Sequence, residues 1–172
     1  MKNLDEIMEK KAYYIDRKKE IEEAIEAGKN LLYSLRQVNR NLDSASSWGL
    51  WDVLGGGMLV TMAKHSKLEK AKSEIPRAQS LLAKFYRELE DVGGHVDIDI
   101  EIGSFLTFAD YFFDGLFADL TVQSRINDAK RRVRSTIDKV NSIMRRLESD
   151  LEDTIRAIED LEKEGLRIIE QE

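Results

Sequence analysis

The chain contains no cysteine, one proline and two histidines in 172 residues. The missing cysteine removes disulfides, thiolate nucleophiles and cysteine-ligated zinc together. With one proline, little interrupts helix propagation. His65 and His95 stand apart from any nucleophile motif. There is no Gly-x-Ser-x-Gly elbow, and neither histidine lies three residues after a glutamate, the spacing found in diiron bundles. No apolar run approaches the roughly 18–20 residues that cross a bilayer, and Met1-Lys2-Asn3-Leu4-Asp5-Glu6 holds no apolar signal core. These absences lead to the expectation of a cytoplasmic protein with no cofactor and no catalytic role.

What is present favours helices. Charged residues make up 35% and apolar residues 42%, enough apolar content to repay the entropy of ordering a chain so rich in charge. The net charge is −6, from 27 basic and 33 acidic residues, so general attraction to nucleic acid is not expected.

Apolar residues recur at three-four spacing over about 4–45: Leu4, Ile7, Tyr14, Ile21, Ile25, Leu32, Leu35 and Leu42. Lys11, Lys18 and Gly28 occupy seam positions of the same register, where polar residues set alignment at some cost in stability. A second heptad places Leu68, Ile75, Leu82 and Leu89 seven apart, with Ala71, Ala78, Phe85 and Val92 between them. It predicts a helix over about 58–92, with Ser66 and Glu69 fitting a capping box and Pro76 expected to kink it. A third helix, about 116–171, has the seam Ile126, Val133, Ile137, Val140, Met144, Leu147, Leu151, Thr154, Ile158, Leu161 and Ile168, weakened at Gly165. The prediction is one elongated domain over 1–172, mainly α, as an antiparallel coiled coil or bundle of three long helices.

Two segments interrupt the heptads. Residues 46–57 contain Trp48, Trp51, Gly55, Gly56 and Gly57, and read as a turn whose glycines free the backbone. Residues 104–115 bring Phe105, Phe108, Phe112 and Phe113, with Phe117 close behind. Such aromatics bury large areas, and they are expected to pack together as a structural or interaction head. Between the helices, Val96, Ile98, Ile100 and Ile102 alternate with polar residues over 95–102, a strand-like or extended stretch in need of a pairing partner. A shift of 58 residues superposes the two segments: Asp52 falls on Asp110, Gly57 on Gly115, Ser66 on Ser124 and Ala71-Lys72 on Ala129-Lys130. That pattern suggests an internal repeat.

The run Trp-Gly-Leu-Trp-Asp-Val-Leu-Gly-Gly-Gly from Trp48, followed by Met62-Ala63-Lys64-His65-Ser66, resembles a segment of uncharacterised bacterial coiled-coil proteins. The resemblance covers about twenty residues. It implies a helical fold and carries no functional residue across, since that family has no assigned activity.

Candidate chemistry is sparse. Gly55-Gly56-Gly57 before a helix could cradle a phosphate, but the lysine and hydroxyl that end a P-loop are missing, so a structural turn is the better reading. On an extended backbone His95, Asp97, Asp99 and Glu101 share a face and could hold a hard cation; a solvated face that deters edge pairing is the plainer reading. The stretch from Lys64 to Arg87 has seven basic and two acidic residues, and that from Arg125 to Arg146 has eight and two, whereas the tail beyond Leu147 is acidic. Aromatic tips followed by basic helices would suit an anionic membrane surface. Neutralisation of basic by acidic segments within the protein is the alternative. The leading expectation is a non-catalytic scaffold or protein-interaction module, forming a homodimer because the unequal seams outrun one another. A peripheral membrane-surface protein and a metal-binding or enzymatic bundle are the alternatives.

Overall fold

The structure is a computed structural model that describes residues 4–53, 57–93 and 123–170, with side chains over 4–45, 66–93 and 126–170. All of these form three helices apart from a turn at Glu170: α1 (Leu4–Val53), α2 (Gly57–Gly93) and α3 (Gln123–Ile169). At 1.5 Å per residue, the 50 residues of α1 make a rod of about 75 Å. No helix among the described residues is long and apolar enough to cross a membrane.

The first helix is longer than its heptad predicts. Residues 46–53, expected to open a turn, continue α1 to Val53, and Gly57 already belongs to α2. A lone glycine such as Gly49 costs a helix only about 1 kcal/mol, which propagation of an already formed helix can absorb. Ser66 is likewise no cap: it lies in the interior of α2, and Glu69 instead pairs with Lys72 at 3.4 Å. Pro76 sits within α2 on its exposed face, where water can satisfy the carbonyl it leaves unbonded. The stretches 95–102 and 104–115, and the predicted start of the third helix at 116, lie outside the described residues.

Helix α1 is the hub: α2 and α3 each pack against it. Lys11 of α1 pairs with Glu162 of α3, Gly28 faces Met144, and Asp43 takes Lys130, so contacts ascend α1 as they descend α3. Phe85 of α2 also meets Gly28. Phe85 lies about as far from Gly57 as Gly28 lies from Val53. The three residues joining the helices can span only roughly 15 Å, so α2 folds back along α1.

Burial follows from this arrangement. All eight heptad residues of α2, from Leu68 to Val92, are buried. On α3, Ile126, Val133, Val140, Met144, Leu147, Thr154 and Leu161 are buried, joined by Ala129, Thr136 and Ile143. Helix α1 has two stripes rather than the single predicted one. Ile21, Ile25, Leu32, Leu35 and Leu42 belong to the expected seam, while Ala24, Leu31, Val38 and Ala45 form another heptad beside it. Near its amino end only the narrow seam is buried, and the stripe widens from Ala24 onward. Widening is what a helix flanked on two sides requires.

At Gly28 both α2 and α3 come close to α1. A β-carbon there would stand 2.9 Å from Phe85 Cε2 and would collide with Met144 Sδ. The predicted seam weakness is therefore a packing requirement, because all three helices converge where the side chain is absent. Gly165 differs: its β-carbon would meet Ile7 Cγ2 at 3.8 Å and Leu4 Cδ1 at 4.0 Å, ordinary contact distances.

Candidate functional site

Two places combine helices and exposed chemistry. The first is near the start of α3. Asp43 accepts from Lys130 Nζ at 2.7 Å and from Arg134 Nη2 at 2.9 and 3.1 Å, while Arg134 Nε reaches Asn39 Oδ1 at 3.3 Å. Asn39 Nδ2 also donates to Asp43 Oδ2 at 3.0 Å. Burial pushes the Asp43 carboxyl upward, but the hydrogen bonds and charges of Lys130 and Arg134 outweigh it and hold the group below its usual value. Beside this clamp, Asn127, Asp128, Lys130, Arg131 and Arg134 line a shallow polar hollow, in which Arg131 pairs with Asp128. Three cations of the basic stretch thus have acidic partners within the chain, which is local neutralisation.

The second place is the end of the rod formed by the start of α1 and the last turns of α3. By the pairing of Gly28 with Phe85, the eight further residues of α2 end about two turns on, beside residue 20 or so of α1. Beyond that level the described structure is two helices thick. Leu4, Ile7, Met8, Leu161, Gly165, Leu166 and Ile169 line an apolar groove there, with Lys11 and Glu162 paired at 2.9 Å on its edge. Ile7, Leu161 and Gly165 form a buried floor, whereas Met8, Ile15, Leu166 and Ile169 keep half or more of their surface exposed.

The groove also has a direction. The α1 stripe of Ala24, Leu31, Val38 and Ala45 repeats every seven residues, and Met8 and Ile15 fall two residues away from that register. Two residues are about 200° around a helix, so Met8 and Ile15 lie on the flank opposite that second stripe.

Neither place is among the sites the sequence predicts. The groove has a signal in the doubling of seam residues by apolar neighbours: Ile7-Met8, Tyr14-Ile15 and Ile168-Ile169. The clamp has none, since Asp43 and Arg134 are far apart in sequence and charged residues are common on every helix.

Of the predicted residues, Trp48 and Trp51 lie on the helical backbone of α1, and Gly57 opens α2. Gly55, Gly56, Phe105, Phe108, Phe112, Phe113 and Phe117 lie outside the described residues, as do His95, Asp97, Asp99 and Glu101. Among the described residues no three histidine, aspartate or glutamate side chains gather as a metal site. No protein family, curated protein or solved structure matches the chain.

Proposed function

We propose that the protein is a non-catalytic scaffold, an antiparallel coiled-coil rod that offers its two-helix end to a protein partner. The observation that carries this reading is the groove at that end. Three large apolar side chains, Met8, Leu166 and Ile169, stand exposed together around a floor of Ile7, Leu161 and Gly165. Single exposed apolar residues are ordinary on a soluble surface; a contiguous set along a groove marks a contact site.

The internal repeat belongs to the same reading. Seven positions of α2 from Leu68 to Leu89 are buried, and so are their counterparts 58 residues on, from Ile126 to Leu147. Gly28 meets Phe85 of one helix and Met144 of the other, 59 residues apart, which supports α2 and α3 as two copies of one unit laid on a common hub. Among the described residues only α3 continues past the level where α2 stops, and that continuation builds the groove.

The anionic-surface alternative would draw on the basic helices. Asp43 and Asp128 already engage Lys130, Arg134 and Arg131, which favours the scaffold. The test places a photoreactive residue, Leu166→p-benzoylphenylalanine, in the full chain and irradiates it in cells. Covalent attachment to a protein chain is expected. Failure to attach to any protein would end the reading.

A further inference from the structure

Charge divides the rod at one cross-section. Gly28 sets the level, since it meets Phe85 of α2 and Met144 of α3. On α1 the sign changes between Glu26 and Lys29, on α2 between Arg87 and Glu88, and on α3 between Arg146 and Glu148, all within four residues of that layer. On one side, residues 29–45, 66–87 and 126–146 hold 16 basic and five acidic residues. On the other, residues 4–28, 88–93 and 147–170 hold eight basic and 20 acidic. The net charge of −6 conceals this division. The basic part runs about 25 Å along α1, well beyond a screening length of roughly 8–10 Å, so a polyanion beside it meets attraction.

Within that half, one face of α1 carries cations that nothing in the described chain engages. Lys29, Tyr33, Arg36 and Arg40 are spaced four, three and four apart, which aligns them on one side of the helix. All four are exposed, Tyr33 at 57%, and their side chains have no hydrogen-bond or ion-pair partner among the described residues. Asp43, the next acid along α1 beyond Arg40, is taken by Lys130 and Arg134. Arg145, adjacent to Met144, adds an exposed cation at the level of Lys29. The face ends at Glu26, whose carboxylate accepts from Asn30.

The same residues select the partner. An acidic protein segment would use the cations and leave the tyrosine ring idle. A bilayer needs apolar residues that insert beside the cations. Among the described residues the other exposed large apolar side chains, Met8, Tyr13, Ile15, Leu166 and Ile169, all lie on the acidic half. A single nucleic-acid strand offers both complements, phosphates for the cations and unstacked base faces for the ring. A duplex keeps its bases stacked inside and presents only the phosphates to such a face.

We propose that the α1 face of Lys29, Tyr33, Arg36 and Arg40 binds single-stranded nucleic acid, with phosphates on the three cations and a base stacked on the Tyr33 ring. This face is separate from the groove at the acidic end and does not depend on a protein partner there.

Fluorescence anisotropy of a labelled oligo-dT of about 20 nucleotides, titrated with the full chain, tests it. Binding is expected at about 1–100 μM protein in about 50 mM salt, weakening as salt is raised. The triple variant Lys29→Gln, Arg36→Gln, Arg40→Gln is expected to weaken binding about tenfold or more. It should also flatten the log–log salt slope by about 2, as the loss of three phosphate contacts requires. Tyr33→Ala is expected to weaken binding about fivefold with the slope unchanged, a result that a purely electrostatic contact does not give. The same charge change on the acidic half, Lys10→Gln, Lys163→Gln, Arg167→Gln, should leave affinity within about twofold. Should the first triple variant lose its helical circular-dichroism signal, Arg36→Gln alone replaces it, with about a threefold loss expected. No binding at about 50 mM salt overturns the proposal, as does equal weakening by the two triple variants or full affinity in Tyr33→Ala. Tighter binding to a duplex of the same length overturns it too, as does sedimentation with anionic vesicles without binding to the oligonucleotide.

Discussion

The same change at two glycines should act with opposite sign. At Gly28, alanine brings a β-carbon to 2.9 Å from Phe85 Cε2 and into Met144 Sδ. Phe85 is fully buried and Met144 nearly so, which leaves the ring little room to retreat. Overpacking of this kind costs about 1–3 kcal/mol. Alanine in a helix interior returns about 1 kcal/mol over glycine. With clashes against two buried side chains, the steric cost should prevail, and Gly28→Ala should destabilise by about 1–2 kcal/mol. At Gly165 the nearest atoms are 3.8 and 4.0 Å away, so the propensity gain stands alone and Gly165→Ala should stabilise by about 1 kcal/mol. Urea denaturation followed at 222 nm, at one fixed protein concentration, reads the difference; it should amount to about 2–3 kcal/mol, with m-values unchanged. Met144→Ala in the Gly28→Ala background should cost less than the sum of the single changes, since the pair shares one space. If Gly28→Ala stabilises as much as Gly165→Ala, the three helices do not converge at Gly28 and the packing described for them is wrong.

Two further changes probe the seam and the clamp. Ser34 is buried in α1 and its hydroxyl has no hydrogen-bond partner among the described residues, so Ser34→Ala should stabilise by about 1 kcal/mol in the same titration; a loss of stability would mean that the hydroxyl is bonded. Asp43 has a folded pKa held below its ordinary 3.8, so its ion pairs add stability above that value and lose it as pH falls through the folded pKa. Asp43→Asn should therefore be less stable than the wild type near neutrality, and the gap should close below about pH 4. A gap that persisted undiminished in acid would show that the carboxylate charge is not what the clamp uses. The effect should be modest, because Asp43 is more than a third exposed and solvent screens it.

Periodicity makes the helices legible. Leu68, Ile75, Leu82 and Leu89, with the four residues between them, form one stripe in the sequence, and all are buried. A heptad reports that a face is covered without saying how many neighbours cover it. Thus the spacing predicts one seam on α1, although Ala24, Leu31, Val38 and Ala45 also stand seven apart. Small residues such as Ala24 and Ala45 are weak signals because alanine is at home on any helix face. The predicted turn starts too early for a related reason. Ser46, Ser47 and Gly49 favour breaking a helix locally, but the cost of continuing past them is small beside that of ending a long, packed rod.

Composition and spacing alone determined that this chain folds into long amphipathic helices, since charge, apolar content and the near absence of proline act residue by residue. Tertiary structure decided which helix is the hub, why Gly28 must lack a side chain, and at which end the described residues are two helices thick. Each of these depends on where helices of unequal length stop against one another. A stripe encodes the angle of a contact around the helix; how far a neighbour reaches along it is set only when the neighbour is in place.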